Sequence, residues 1–136
     1  MADLIFAGGP RVSRVLSRLI RSNRVPHALL FSGPAGSGRR EAARQLAQTL
    51  LCTDSQNRPC GQCLSCQKKD HDNHPDLIRV APDGTRLKID QIRALTHALD
   101  QGPYESPSRV AVVEEAESLT PEAANALLKT LEEPVA

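Results

Sequence analysis

Aromatic residues are almost missing from this sequence. Its 136 residues include no Trp, one Tyr, two Phe and a single Met. A core must therefore be built from Leu, Ile, Val and Ala, and stacking of bases on an aromatic platform is excluded as a binding mode. Long hydrophobic runs are missing too. Runs such as Ala28–Phe31 and Val110–Val113 are far too short to span a bilayer. The first residues, MADLIFAGGP, carry Asp3 where a secretion signal has a basic segment. The expectation is a cytoplasmic protein with no membrane partner. Lysine is absent from the first fifty residues, which hold eight Arg against two acids, whereas residues 51–136 hold nine bases and fourteen acids. Such a split marks an anionic-ligand face or an oligomer contact, or simply two differently solvated faces. Hydrophobic residues make up 40% of the chain, enough for one globular domain and too many for wholesale disorder.

Strands and helices alternate in the pattern. Val12, Val15, Leu16, Leu19 and Ile20 form one helical stripe, with Arg11, Arg14, Arg18 and Arg21 on the other side. Pro10 suits the first turn of that helix, and Asn23 and Pro26 end it. The run from His27 to Ser32 reads as a first buried strand, broken at Gly33. A helix follows through Ala43, Leu46, Ala47, Leu50 and Leu51. Leu77–Val80 reads as a second strand, closed by the Pro82-Asp83-Gly84 turn. Ile89, Ile92, Leu95 and Leu99 mark another helix. After a loop from Gly102 to Pro107 comes a third strand, Val110–Val113. Thr120 then caps a last helix with Pro121 in its first position and Glu122 near its positive end. Ala124, Leu127, Leu128 and Leu131 are its expected apolar face, and Pro134 stops it. This is the α/β pattern of a parallel sheet covered on both faces.

Residues 51–76 differ from the rest. All four cysteines fall there as Cys52-x7-Cys60-x2-Cys63-x2-Cys66, together with His71, His74 and little apolar content. Two-residue spacers let neighbouring thiolates turn onto one tetrahedral Zn²⁺, and Gly61 permits the tight backbone between them. Four Cys predict a closed, structural zinc site whose metal supplies the folding free energy of the insert. The alternatives are two disulfides, which the absence of a secretion signal disfavours, or free thiols. His71 and His74 are spare ligand candidates, with solvated or capping roles as the simpler reading.

Gly33-Pro-Ala-Gly36-Ser-Gly38-Arg39-Arg40, lying between a strand and a helix, aligns with the phosphate loop G-x-x-x-x-G-K-S/T. Backbone amides of such a loop cradle phosphate. Arg39 stands where Lys reaches the β- and γ-phosphates, and its planar fork does not replace an ammonium. Arg40 stands where a hydroxyl holds Mg²⁺, and a cation there repels the metal. At the end of the third strand, Glu114 replaces the Asp that supports Mg²⁺, while Glu115 keeps the position of the Glu that polarises water. These changes predict a nucleotide-site scaffold that does not hydrolyse ATP, and leave open whether ATP or Mg²⁺ is bound at all. The alternative is a plain glycine turn.

The segments RVPHALLFSGPAGSG at 24–38, the cysteine insert, HPDL at 74–77, KIDQIRAL at 88–95, VVEEAE at 112–117 and ANALLKTLEEP at 124–134 together resemble the clamp-loader ATPases of bacterial DNA polymerase III. The resemblance runs over essentially the whole chain. Arg39-Arg40 sets it apart from the gamma/tau motor branch, whose loop carries Lys-Thr or Lys-Ser. The resemblance implies an AAA+ fold with five parallel strands in the order 5-1-4-3-2, of which strands 1–3 are represented in residues 1–136, and a zinc-binding insert at 51–76. It also implies further strands, a helical lid, a collar domain and a Ser-Arg-Cys arginine finger, none of which the sequence contains. That predicts a piece of a protein more than twice as long, with its first strand lacking both neighbours. The implied function is membership of a pentameric ring, with delta and gamma/tau subunits as partners, that opens the sliding clamp and loads it onto primer-template DNA in the replisome. Lys129, Glu132 and Glu133 are candidate subunit contacts. An active gamma/tau-like ATPase is the second reading. A zinc module binding nucleic acid directly, through the arginines of residues 11–21, is the third.

Overall fold

Pro10 starts the first helix where a missing N–H costs nothing, and α1 runs Pro10–Arg21. It ends where Asn23 takes up left-handed backbone at φ 55°, a conformation Asn tolerates better than most residues. The computed structural model describes residues 6–54, 58, 60, 62–64, 66, 67, 74–103 and 109–132. Gly61, His71, residues 104–108, Glu133 and Pro134 lie outside them. The chain forms two compact units, divided between Leu46 and Ala47.

The first unit holds α1, the glycine-rich loop and the opening turns of α2, Arg39–Leu51. Leu16, Ser17 and Ile20 are the buried positions of α1. Val15, expected on the same stripe, is instead 53% exposed, because the buried arc is centred a residue further round the helix. Phe6 is buried, and its backbone N–H and C=O both bond the Ser13 hydroxyl. The strand expected over residues 27–32 is not a strand: the backbone there has no ladder, Leu29 is 41% exposed and Leu30 83%. An apolar run becomes a strand only when a neighbour takes its N–H and C=O groups, and no described strand does so here.

The second unit carries the sheet. β1 (Leu77–Val80) and β2 (Val110–Val113) pair in parallel, with Leu77 opposite Val110 and Val80 opposite Val113. Both strands occupy the expected residues, but the described sheet has two strands where three were expected. Alternation sends Ile78, Val80, Ala111 and Val113 to the face where Leu87, Ile92, Leu95 and Ala123 form the core. Helix α3 (Ile89–Asp100) packs on β1, and α4 (Pro121–Glu132) packs on α3. Leu87 and Ile92 have no exposed surface, and each contributes about 1.5–3 kcal/mol of burial. This core cluster lies on the face of the sheet that α3 covers.

Local signals place the helix ends well. Thr120 accepts the Ala123 N–H at 3.2 Å, the expected N-cap. Gln91 reaches back to the Lys88 N–H at 3.0 Å and with its amide group to the Ala81 carbonyl at 2.8 Å. The apolar face of α4 requires correction. Ala123 is buried, Ala126 and Leu127 pack on the core, and Thr130 meets Thr96 of α3 at 3.1 Å. Ala124, Leu128 and Leu131 are exposed. The small side chains face α3 because they let the two helices approach.

Candidate metal centre and phosphate loop

Helix α2 delivers the first cysteine. Leu51 is fully buried and anchors the last turn, where the Cys52 N–H still bonds the Gln48 carbonyl at 3.2 Å. The chain then leaves the helix and returns with Cys60, Cys63 and Cys66. All four Sγ atoms lie within 4.8 Å of one another, with Cys52 and Cys66 buried and Cys60 and Cys63 half-buried. None forms a disulfide. A tetrahedron of thiolates around Zn²⁺ at about 2.3 Å requires S···S separations of about 3.8 Å, and Cys52 and Cys63 stand at 3.9 Å.

Backbone N–H groups converge on the sulfurs. Cys52 Sγ accepts from Asp54 and Cys60, each at 3.4 Å. Cys60 Sγ accepts from Gln62 at 3.4 Å and Cys63 at 3.2 Å, and Cys63 Sγ from Cys66 at 3.4 Å. Such donors stabilise thiolate. For Cys63, burial pushes the thiol up, but N–H groups of Thr53 and Cys66 and their side chains outweigh it, and its pKa falls to about 6. At Cys52 burial prevails over its N–H donors and pushes the thiol up. Four soft donors, a closed arrangement and N–H support match the needs of a tetrahedral metal ion. Among the described residues the donor cluster contains these four cysteines and no histidine. His74 is buried, and its Nδ1 accepts the Asp76 N–H at 2.9 Å, a local turn bond in place of a metal.

The glycine loop belongs to the first unit. Gly36 and Gly38 adopt φ 85° and 89°. A Cβ at Gly38 would lie 2.8 Å from the Gly8 nitrogen, so that position needs glycine for space as well as for conformation. The Ser37 N–H bonds the Pro34 carbonyl at 3.1 Å, and α2 starts directly behind at Arg39. The Arg39 guanidinium folds back over its own loop and donates to the Gly33 carbonyl at 2.6 Å. Arg40 is exposed on the first turn. The Ser37 hydroxyl is buried and has no hydrogen-bond partner among the described residues.

Glu114 and Glu115 belong to the second unit. The Glu114 N–H extends the ladder to the Val80 carbonyl at 2.8 Å, and its carboxylate pairs with Arg79 at 3.3 Å. Glu115 adopts left-handed backbone at φ 55°, and its carbonyl accepts from the Ser118 N–H at 2.9 Å and hydroxyl at 2.6 Å. A short helical turn, Ala116–Ser118, follows.

Two charge pairs escaped the sequence reading. One is Arg79–Glu114. The other is Asp76–Arg109, with Nε to Oδ1 at 3.5 Å and side chains 0% and 5% exposed. The Val110 N–H also bonds the Asp76 carbonyl at 2.8 Å, and Arg109 Nη1 donates to the Ala98 carbonyl. An acid just before β1 and a base just before β2 were visible signals. Only the register that sets Leu77 beside Val110 makes them neighbours.

The sequence model of the family described as DNA polymerase III, delta subunit, matches residues 8–136. The DNA polymerase III subunit delta' of Bacillus subtilis (strain 168) is 40% identical over 125 residues, covering 92% of this chain and 38% of the relative. The subunit delta' of Haemophilus influenzae is 39% identical over 109 residues, covering 79% of this chain and 33% of the relative. The tau/gamma subunit of the same organism is 34% identical over 134 residues, covering 98% of this chain and 19% of the relative. The chain therefore spans 33–38% of the length of these delta' relatives. Among the described residues no helix is long and apolar enough to cross a membrane.

Proposed function

The chain belongs to the delta-prime family of DNA polymerase III, and from that membership we propose that it serves as a clamp-loader subunit which takes part in loading the sliding clamp onto primed DNA without hydrolysing ATP itself. It works in the cytoplasm within the replisome, as part of a larger AAA+ subunit, with delta and gamma/tau subunits as partners. Residues 51–76 form its zinc-binding insert. Cys52, Cys60, Cys63 and Cys66 hold a structural Zn²⁺, whose bonds order an insert too poor in apolar residues to order itself.

The observation that carries the non-hydrolysing reading is the Arg39 contact. The side chain at the lysine position is tied to the Gly33 carbonyl, inside the loop, instead of extending from it. The acidic position points the same way by itself. Glu114 is neutralised by a guanidinium, where metal-dependent hydrolysis requires a carboxylate on Mg²⁺. Gly33, Gly36, Gly38, Arg39, Arg40, Glu114 and Glu115 are thus remnants of nucleotide chemistry.

The similarity to a tau/gamma subunit keeps an active motor as the second reading. Calorimetric titration of ATP into zinc-loaded protein, with and without Mg²⁺, separates the two. The non-hydrolysing reading expects no Mg²⁺-dependent heat. Tight Mg²⁺-dependent binding accompanied by turnover overturns it. Substituting Arg39→Lys together with Arg40→Thr then shows whether those two positions are the cause.

A further inference from the structure

Four thiols gathered around one point are capable of a second chemistry besides holding a metal. The Cys63 thiol donates to Cys52 Sγ at 3.9 Å, although the two residues are 11 positions apart in the chain. Cys52 is held in place. It is 1% exposed, it follows the buried Leu51 at the end of α2, and its N–H bonds the Gln48 carbonyl at 3.2 Å. Cys63 is half-buried and so open to a small solute. The two C-x2-C turns are braced from within. The Cys63 N–H bonds Cys60 Sγ at 3.2 Å, and the Cys66 N–H bonds Cys63 Sγ at 3.4 Å. A disulfide inside either turn would have to break the bond that shapes it. Elsewhere the chain offers an oxidant little, since it has no Trp and a single Met.

We propose that Cys52 and Cys63 form a reversible oxidation site, at which an oxidant of the peroxide class joins them in a disulfide and ends the insert's hold on zinc. This rests on the zinc reading of the insert. The accessible partner reacts first. The Cys63 thiolate attacks one peroxide oxygen, the O–O bond breaks, hydroxide leaves, and Cys63 becomes a sulfenic acid. The Cys52 thiolate then attacks the Cys63 sulfur. The S–S bond forms, the S–O bond breaks and a second hydroxide leaves. Two electrons pass from the two thiolates to the peroxide, which takes two protons from solvent and ends as two waters. Cys60 and Cys66 are then the remaining donors, half of what a closed tetrahedral site uses. The new bond ties the insert to the end of α2, so the insert stays closed without metal. A dithiol reductant returns all four thiols.

The test treats the full zinc-loaded chain with hydrogen peroxide and follows released zinc with a colorimetric chelator. Free thiols are then alkylated, the disulfide is reduced, and the thiols so released are alkylated with a heavy isotope. Fragmentation mass spectrometry reads which cysteines carried the bond. The expected result is release of about one zinc per chain, heavy label on Cys52 and Cys63, and renewed zinc uptake after dithiothreitol. The Cys60→Ser variant keeps both sulfurs and still forms the bond, whereas Cys63→Ser leaves Cys52 unlinked. The proposal is overturned by a bond within either C-x2-C pair, by sulfinic acid at Cys63 in place of a bond, or by zinc that stays bound after Cys52 and Cys63 are joined. A chain that takes up no zinc overturns the zinc reading and the switch with it. A zinc-loaded chain that peroxide leaves unchanged overturns the switch alone.

Discussion

Replacing Asp76 by Ala removes the acidic half of an ion pair whose members are 0% and 5% exposed. The guanidinium of Arg109 stays behind, out of water, with its Nη1 still on the Ala98 carbonyl. Breaking a buried pair in this way costs about 3–5 kcal/mol, because the remaining charge keeps its desolvation penalty and loses its partner. A domain has only about 5–15 kcal/mol of stability, so this single change consumes a large part of it. The reverse change, Arg109→Met, leaves a buried carboxylate and carries a comparable penalty. The double variant Asp76→Ala with Arg109→Met strands neither charge, so it falls well short of the sum of the two single changes, with a coupling of about 2–3 kcal/mol. Urea unfolding of the four zinc-loaded proteins, followed by far-ultraviolet circular dichroism, measures each midpoint and slope. A loss below about 1 kcal/mol for Asp76→Ala, or strict additivity in the double variant, would refute the argument that this pair is desolvated and locks the entry ends of β1 and β2.

Other perturbations test other parts of the molecule. Gly38→Ala places a Cβ 2.8 Å from the Gly8 nitrogen at φ 89°, whereas Gly36→Ala at φ 85° meets nothing within 4 Å. Denaturation should therefore show a loss of about 1–2 kcal/mol for Gly36→Ala, the left-handed penalty alone, and a clearly larger loss for Gly38→Ala. Thr120→Ala removes the cap on the Ala123 N–H and should cost about 1 kcal/mol. In metal-free protein, Cys63 titrates near 6, below the ordinary thiol value of 9.0. Its thiolate therefore favours the folded state fully above the ordinary value, and that contribution is lost as pH falls through about 6. Iodoacetamide labelling read by mass spectrometry should modify Cys63 before Cys52 at neutral pH, and bound Zn²⁺ should protect all four cysteines. Cys66→Ser removes one of the four cysteines proposed to hold zinc, a buried one, and a colorimetric chelator should then withdraw zinc faster than from the unaltered chain.

Features written within a few residues were legible from the sequence alone. The residues of β1 and β2, the Pro-led starts of α1 and α4, the Thr120 cap, the glycine loop and the cysteine spacing all depend on local steric preference or on short closure. Nearest neighbours decide such features, so the order of residues was sufficient. Tertiary structure decided what depends on distant partners. It turned Val15, Leu128 and Leu131 outward, because a helix buries only the side its neighbour covers. Residues 27–32 stay out of the sheet for a related reason, since strand identity needs a second backbone. The Arg79–Glu114 and Asp76–Arg109 pairs arose from the register of two strands more than thirty residues apart, which composition and spacing do not specify. Charge was countable from the sequence, but which arginines have an acid to face was set by the fold.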